Sequence, residues 1–367
     1  MNTPDRRTFL KTVGAAAAAA MTAPASAFAM QAKPKVRFGV DMYSLGAQNW
    51  TPFQQLDFAA KWKLDMVHFS EVRFLGSAKW QEALAPDNLE RVRDKADELK
   101  IDIEIGMRSL CPTSTDFQNA QRADPTLGTA DEQITRMLAA AKALRSPIVR
   151  CVLGTQADRN PPGIESHQAD FIKVLKANRS KILDSGIKLA IENHAGDQQA
   201  REMKMLIEGA GPDIVGVCLD SGNPVWTIED PHLTLETLAP YVLTSHMRDS
   251  ALWRTPDGVA VRWVRMGEGN MGMEDYIRTY VEKCPGKAVS LEIIVSGNPR
   301  NVNYTNPQFW NIYKNTPAWE FARFLALADK GTPKPAGPVE PGSTPQQRNL
   351  ADVEASIQWT QAFLAKL

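Results

Sequence analysis

Three carboxylates and one imidazole stand at matched places in four successive stretches of this chain: Glu192 in LAIENHAG, Asp220 in VGVCLDSGN, His246 in VLTSHMRDS and Glu292 in VSLEIIVSG. Each ends an apolar run, so four metal-ligating groups arrive at four strand ends. Three carboxylates with one ring nitrogen, leaving positions for water or substrate, suit Mn²⁺, Mg²⁺ or Co²⁺ better than a thiolate-type zinc site. One divalent ion is expected, manganese first, with Mg, Co or Zn as the alternatives. A single Glu at a strand end is ordinarily solvated or ion-paired, and a single His is more often structural than a ligand. The same pattern in four consecutive repeats is much harder to obtain by accident.

A divalent ion at such a site can chelate a sugar carbonyl and its neighbouring hydroxyl and stabilise the enediolate left when the α-proton departs. If Glu192 and Glu292 flank the sugar, one can remove that proton and the other return it. Return on the opposite face is epimerisation, and migration of the carbonyl is isomerisation. If a group β to the carbanion can leave, the same enediolate eliminates it from a keto-sugar or keto-glycoside. The ligand set by itself leaves these outcomes open.

Eight strand-like runs position these residues: 36–44, 66–69, 101–107, 148–153, 188–192, 215–220, 242–247 and 288–294. Helical spacing of apolar residues fills the intervals, at 52–61, 87–99, 131–144, 165–183, 199–208, 233–238, 273–283 and 318–329. Eight strands each followed by a helix predict a (β/α)₈ TIM barrel over residues 36–330, in which side chains at C-terminal strand ends converge on one mouth. No GxGxxG follows the first strand, which argues against a doubly wound dinucleotide fold. Glu71, Arg108, Arg150, His194, Asn223, Arg248, Asp249 and Trp253 are the remaining mouth candidates, for sugar hydroxyls or for orienting the ligands. Each is as readily a structural ion pair or packing residue.

Two insertions interrupt the rhythm. Residues 253–266 contain an Asp-Gly turn and period-two alternation, which predicts a β-hairpin after the seventh strand. Residues 296–317, rich in Asn, Pro and aromatics, read as a long loop after the eighth. Trp263, Tyr304, Phe309 and Trp310, with Trp253, could pack on a sugar face or an aglycone. Residues 331–367 read as a Pro-rich linker and an amphipathic helix from 352 to 367, docked on the barrel or on a second subunit of a homo-oligomer.

Lys+Arg and Asp+Glu both total 42, and no basic stripe interleaved with aromatics marks a nucleic-acid surface. A small-molecule carbohydrate fits this balance. The four cysteines lack CxxC spacing and read as small buried hydrophobes. Asp5-Arg6-Arg7-Thr8-Phe9-Leu10-Lys11, an alanine-rich stretch and two small-x-small sites resemble a twin-arginine export signal over residues 1–29. Beyond it no stretch has the roughly 18 to 20 apolar residues needed to span a bilayer. A periplasmic protein is expected.

The stretches IENH, CLDSGNP, SHMRD and MGEGNM, followed by LEI, resemble the xylose isomerase-like barrel superfamily, in particular its sugar phosphate isomerase/epimerase branch. The resemblance spans roughly residues 36–330. It implies that Glu192, Asp220, His246 and Glu292 hold one divalent metal and that the two glutamates act as acid and base. Asn223 stands where some sugar epimerases carry a substrate-binding His, and no arginine lies at the usual distance beyond His246. The family also reaches endonuclease IV, whose three zinc ions need more histidines than this chain has near its strand ends. The expectation is a metal-dependent isomerase or epimerase of a non-phosphorylated sugar or keto-sugar. The alternatives are a lyase or hydrolase acting on keto-glycosides and a non-catalytic carbohydrate-binding protein.

Overall fold

Eight short strands, buried along nearly their whole length, carry the architecture: β1 (Phe38–Asp41), β2 (Met66–Phe69), β3 (Asp102–Gly106), β4 (Ile148–Val152), β5 (Lys188–Glu192), β6 (Val215–Asp220), β7 (Val242–His246) and, after a hairpin formed by β8 (Asp249–Thr255) and β9 (Gly258–Val264), β10 (Val289–Leu291). The computed structural model describes residues 35–337 and 341–367, so the expected export signal lies outside the described residues. The parallel order is β10-β1-β2-β3-β4-β5-β6-β7. Met247 joins the ends, donating its N–H to Ser290 O at 2.6 Å and accepting from Glu292 N at 3.0 Å. The eight-strand expectation is met, and the strands form a (β/α)₈ barrel.

The helices start where local chemistry says they should. Thr51 and Thr129 each form a capping box with the residue three positions on, opening α1 (Pro52–Lys61) and, after α2 (Pro86–Leu99), α3 (Ala130–Leu144). Then follow α4 (Ile164–Ala177), α5 (Ala200–Ala210), α6 (Pro231–Leu238), α7 (Met273–Lys283) and α8 (Ala318–Asp329). The helix expected over 165–183 is broken: Asn178 turns its side-chain amide onto Val174 O at 3.1 Å, and a separate helix runs from Arg179 to Ser185. Asn competes with the backbone for hydrogen bonds, which periodicity alone does not register.

Three further departures have local causes. The first strand stops at Asp41, whose carboxylate accepts from Tyr43 N and caps a 3₁₀ turn over Met42–Gln48. The loop expected over 296–317 contains β11 (Arg300–Val302), which pairs antiparallel with the open edge of β9 and makes a three-stranded sheet. The C-terminal helix α9 (Pro345–Leu364) begins seven residues before the expected 352 because Thr344 forms a capping box with Gln347 and Pro345 fills the first helical position.

That helix docks on its own barrel. Asn349 donates to Ser44 O, Gln361 to Trp62 O, and Arg265 pairs with Asp352 at 2.7 Å. Gly267, at φ +83°, lets the loop pass against the Trp359 indole, where a Cβ would clash. No helix of the described residues is long and apolar enough to cross a membrane.

Candidate functional site

Glu192, Asp220 and His246 are the last residues of β5, β6 and β7, and Glu292 follows β10 directly. The strands are so nearly in register there that Asp220 sits opposite His246 and Glu192 opposite Cys218. All four side chains are buried, and one donor atom from each lies within 4.8 Å of the others. His246 Nδ1 lies 2.9 Å from Glu192 Oε2 and 3.3 Å from Glu292 Oε2, yet it is buried without a hydrogen-bond partner. Lone pairs converging on one centre without bonding each other are what a cation site requires.

Two arginines flank the cluster. Arg150, in β4, reaches Glu192 Oε2 with Nε at 2.6 Å and Nη2 at 2.5 Å, and donates Nη1 to Met107 O. Arg248 bonds Asp220 Oδ2 through Nε at 2.8 Å and also holds Glu292 Oε2. Gly222 permits that reach, since a Cβ on it would lie 2.2 Å from Arg248 Cγ. Asp220 Oδ1 accepts the N–H groups of Gly222 and Asn223, and Asn223 Nδ2 faces Glu192 Oε1 at 3.3 Å.

The environment sorts the protonation states. Burial opposes ionisation of Glu192, but Arg150 and His246 outweigh it and hold this carboxyl well below its usual range. Burial pushes Asp220 up to about 6 against the pull of Arg248. Burial also opposes charging of His246, yet Cys218, Glu192 and Asp41 overcome it and keep the ring's pKa well above normal. To serve as a ligand the ring would have to give up its Nδ1 proton, so metal binding here would release one.

The mouth above is a cavity of about 190 Å³, lined on its polar side by Glu71, Arg108, Arg150, His194, Asn223 and Arg248. Arg108 bridges Glu71 and Asp116, and His194 Nδ1 lies 3.1 Å from Gly154 O. Two candidates stand elsewhere. Asp249 ties down the loop after the hairpin by accepting from Gly267 N and Gly269 N, and burial raises its pKa to about 7. Trp253 packs in a small cluster with Ala251, Ala260 and Val264 and does not line the mouth. Trp253 pairs with Ala260 and Trp263 with Ser250, so alternation puts the two rings on opposite faces of the hairpin, and Trp263 is the one that faces the cavity.

Sequence reasoning missed a buried polar row under the ligands. Asp41, His68 and Glu104 are register partners across β1, β2 and β3. His68 Nδ1 lies 2.9 Å from His246 Nε2, and Glu104 accepts from Thr244 Oγ1 at 2.5 Å across the barrel. The signal was a polar residue among the buried positions of a short strand, His68 in MVHF and Glu104 in DIEIG. All four cysteines are buried and free.

A model of the xylose isomerase-like TIM barrel family matches residues 56–310. The chain belongs to that family. A 3-oxo-isoapionate decarboxylase from Pectobacterium atrosepticum is 27% identical over 173 residues, covering 47% of this chain and 54% of that protein. The chain spans about half the length of the curated relatives it matches. Among solved structures, a 3-keto-D-glucoside 4-epimerase from Escherichia coli superposes with a TM-score of 0.52 at 12% identity, over 80% of this chain and 98% of that one. The IolI protein with a bound zinc atom superposes at 0.52 and 15% identity, over 79% and 96%. At these identities the structures share the fold.

Proposed function

We propose that this family member is a divalent-metal-dependent sugar isomerase or epimerase that acts through an enediolate on a non-phosphorylated sugar or keto-sugar. The observation that carries the reading is the convergence of four buried donor atoms within 4.8 Å, with His246 Nδ1 left unbonded among them. Donors held at about 2.1 Å by a small divalent ion lie at most about 4.2 Å apart across it, so the cluster needs only a slight contraction. Glu192, Asp220, His246 and Glu292 would hold the ion, manganese being the favoured one. When bound, the ion would supply Lewis-acid polarisation of a carbonyl and an adjacent hydroxyl, worth several kcal/mol of barrier.

The chain's own residues supply the rest. Arg150 keeps Glu192 ionised and therefore able to accept a proton at neutral pH. Glu292 lines the mouth from the end of β10, held by Arg248. One carboxylate removes the proton next to the carbonyl and the other returns one. Asn223, His194 and Arg108 face the same cavity and bind hydroxyls. A keto-glucoside epimerase with this fold and a relative named for an oxo-sugar acid support a keto-sugar substrate. The twin-arginine resemblance supports export to the periplasm, where no standing pool of sugar phosphates exists.

Deuterium exchange tests the reaction. The manganese-loaded protein should place label at an α-carbon of a keto-sugar without cleaving it, and Glu192→Gln should abolish the exchange while preserving the thermal melt. Failure of both purified and reconstituted protein to hold about one Mn, Mg, Co or Zn per chain would sink the reading.

A further inference from the structure

A second cavity opens beside the mouth. It measures about 450 Å³, against about 190 Å³ for the mouth itself, and the two share Trp263 and Ile294 as a common wall. Its other walls are of a different kind: Trp226, Phe309 and Val302, with the small residues Ala195 and Gly196 between them. Polar side chains occur at its exposed rim, in Gln156, Arg300, Asn301 and Asn303.

The aromatic walls are held before any ligand arrives. Trp263 donates its indole N–H to Gly222 O at 3.2 Å, and the Arg248 guanidinium lies 4.7 Å from its ring centroid on the mouth side. Trp226 meets Trp263 edge to face, with centroids 5.3 Å apart. Phe309 stacks on Tyr313 at 4.9 Å, and the Tyr313 hydroxyl donates to Trp226 O at 3.2 Å. One hydrogen-bonded and stacked frame therefore fixes all three rings.

We infer that this compartment binds an aromatic aglycone, so that the substrate is an aryl keto-glycoside whose keto-sugar ring occupies the mouth. The inference rests on the sugar-site reading above and names its substrate class. A monosaccharide fills the mouth and leaves the second compartment without a role. A second sugar ring would need hydrogen-bond partners along the walls, but these are mainly apolar, and the hydroxyl of Ser296, the polar side chain inside the rim, is already engaged by Trp263 N and Trp263 O. An aryl group meets Trp226, Trp263 and Phe309 in the edge-to-face and offset geometries that aromatic pairs prefer. At about 450 Å³ the space lies within the usual range for small-molecule sites. Rim amides of Asn301 and Asn303 suit phenolic oxygens on the far edge of the ligand.

Binding measured on the full chain by calorimetry tests this, using phenyl and methyl glucosides of both anomeric forms and the disaccharide cellobiose, with no turnover. The phenyl glucoside should bind about tenfold more tightly than the methyl glucoside, the gain expected of one or two aromatic contacts. Phe309→Ala and Trp226→Ala should each remove most of that preference while leaving methyl glucoside affinity unchanged. Trp226→Phe should retain it and serves as the folding control. Equal binding of phenyl and methyl glucosides, or binding of the disaccharide as tight as that of the phenyl glucoside, would overturn the proposal. Manganese loading and deuterium exchange fail or succeed independently of these affinities, so the two readings can fall separately.

Discussion

Strands β2 to β4 handle polar residues differently from β1 and from the four strands that carry the cluster. In β5, β6, β7 and β10 the polar side chain comes at or just past the last strand residue, where the sheet opens to the mouth. In β2, β3 and β4 it comes earlier: His68, Glu104 and Arg150 each have at least one further strand residue beyond them. These strands thus turn polar groups toward residues of the later ones, from β4 to the adjacent β5 and from β2 and β3 across the interior to β7. Arg150 reaches Glu192, His68 reaches His246, and Glu104 reaches Thr244. One set of strands presents donor atoms, and the other decides which of those atoms face the centre.

His246 shows the division of labour. With Nε2 turned to His68 Nδ1, its Nδ1 is the nitrogen left facing Glu192 and Glu292. Burial and the neighbouring His246 and Arg150 charges keep the His68 pKa well below normal, so His68 stays neutral and can accept at Nδ1. A neutral acceptor behind a ligand imidazole fixes its tautomer and orientation.

Substitution should separate the two sets by size of effect. The largest loss is expected in the presenting set: Glu292→Gln should lower turnover by at least about 10² to 10⁴, the usual worth of a positioned acid or base. Steady-state kinetics with metal content measured alongside would check it, and near-wild-type turnover would remove Glu292 from proton transfer. In the supporting set, His68→Leu should lower metal affinity about 10- to 100-fold. A competition titration with a chelating dye reads that loss directly, and an unchanged affinity would show that His246 is oriented without His68.

The same division explains what the sequence discloses. Glu192, Asp220, His246 and Glu292 were legible because each closes an apolar run and the runs recur with the βα repeat. The barrel was legible for the same reason, down to the ends of α1, α7 and α8. Asp41, His68 and Glu104 were not singled out, because a polar residue inside a short strand looks like ordinary alternation until register places three of them in one row. Trp226 was missed and Trp253 misplaced for a related reason. Which face of a hairpin meets a cavity depends on how the insertion lies against the barrel, and β11 pairing with β9 sets that orientation. No local pattern encodes it.

The smallest effect concerns Glu104 and separates support of the site from support of the fold. Burial pushes its carboxyl up to about 7, against the hydrogen bond from Thr244 and the more distant charges of Arg37 and His246. An unfolded glutamate titrates near 4.3. The folded state therefore holds the proton more tightly between those values, and its contribution is present below about pH 4 and is lost as pH rises through 7. Glu104→Gln removes the titration while keeping the shape and an acceptor for Thr244. Between pH 5 and pH 8 the stability of wild type relative to Glu104→Gln should fall by about 2 kcal/mol, read as converging or crossing thermal melts. A difference independent of pH would mean that Glu104 is ionised in the folded barrel, and the supporting set would then carry a buried charge held by His68 and Thr244.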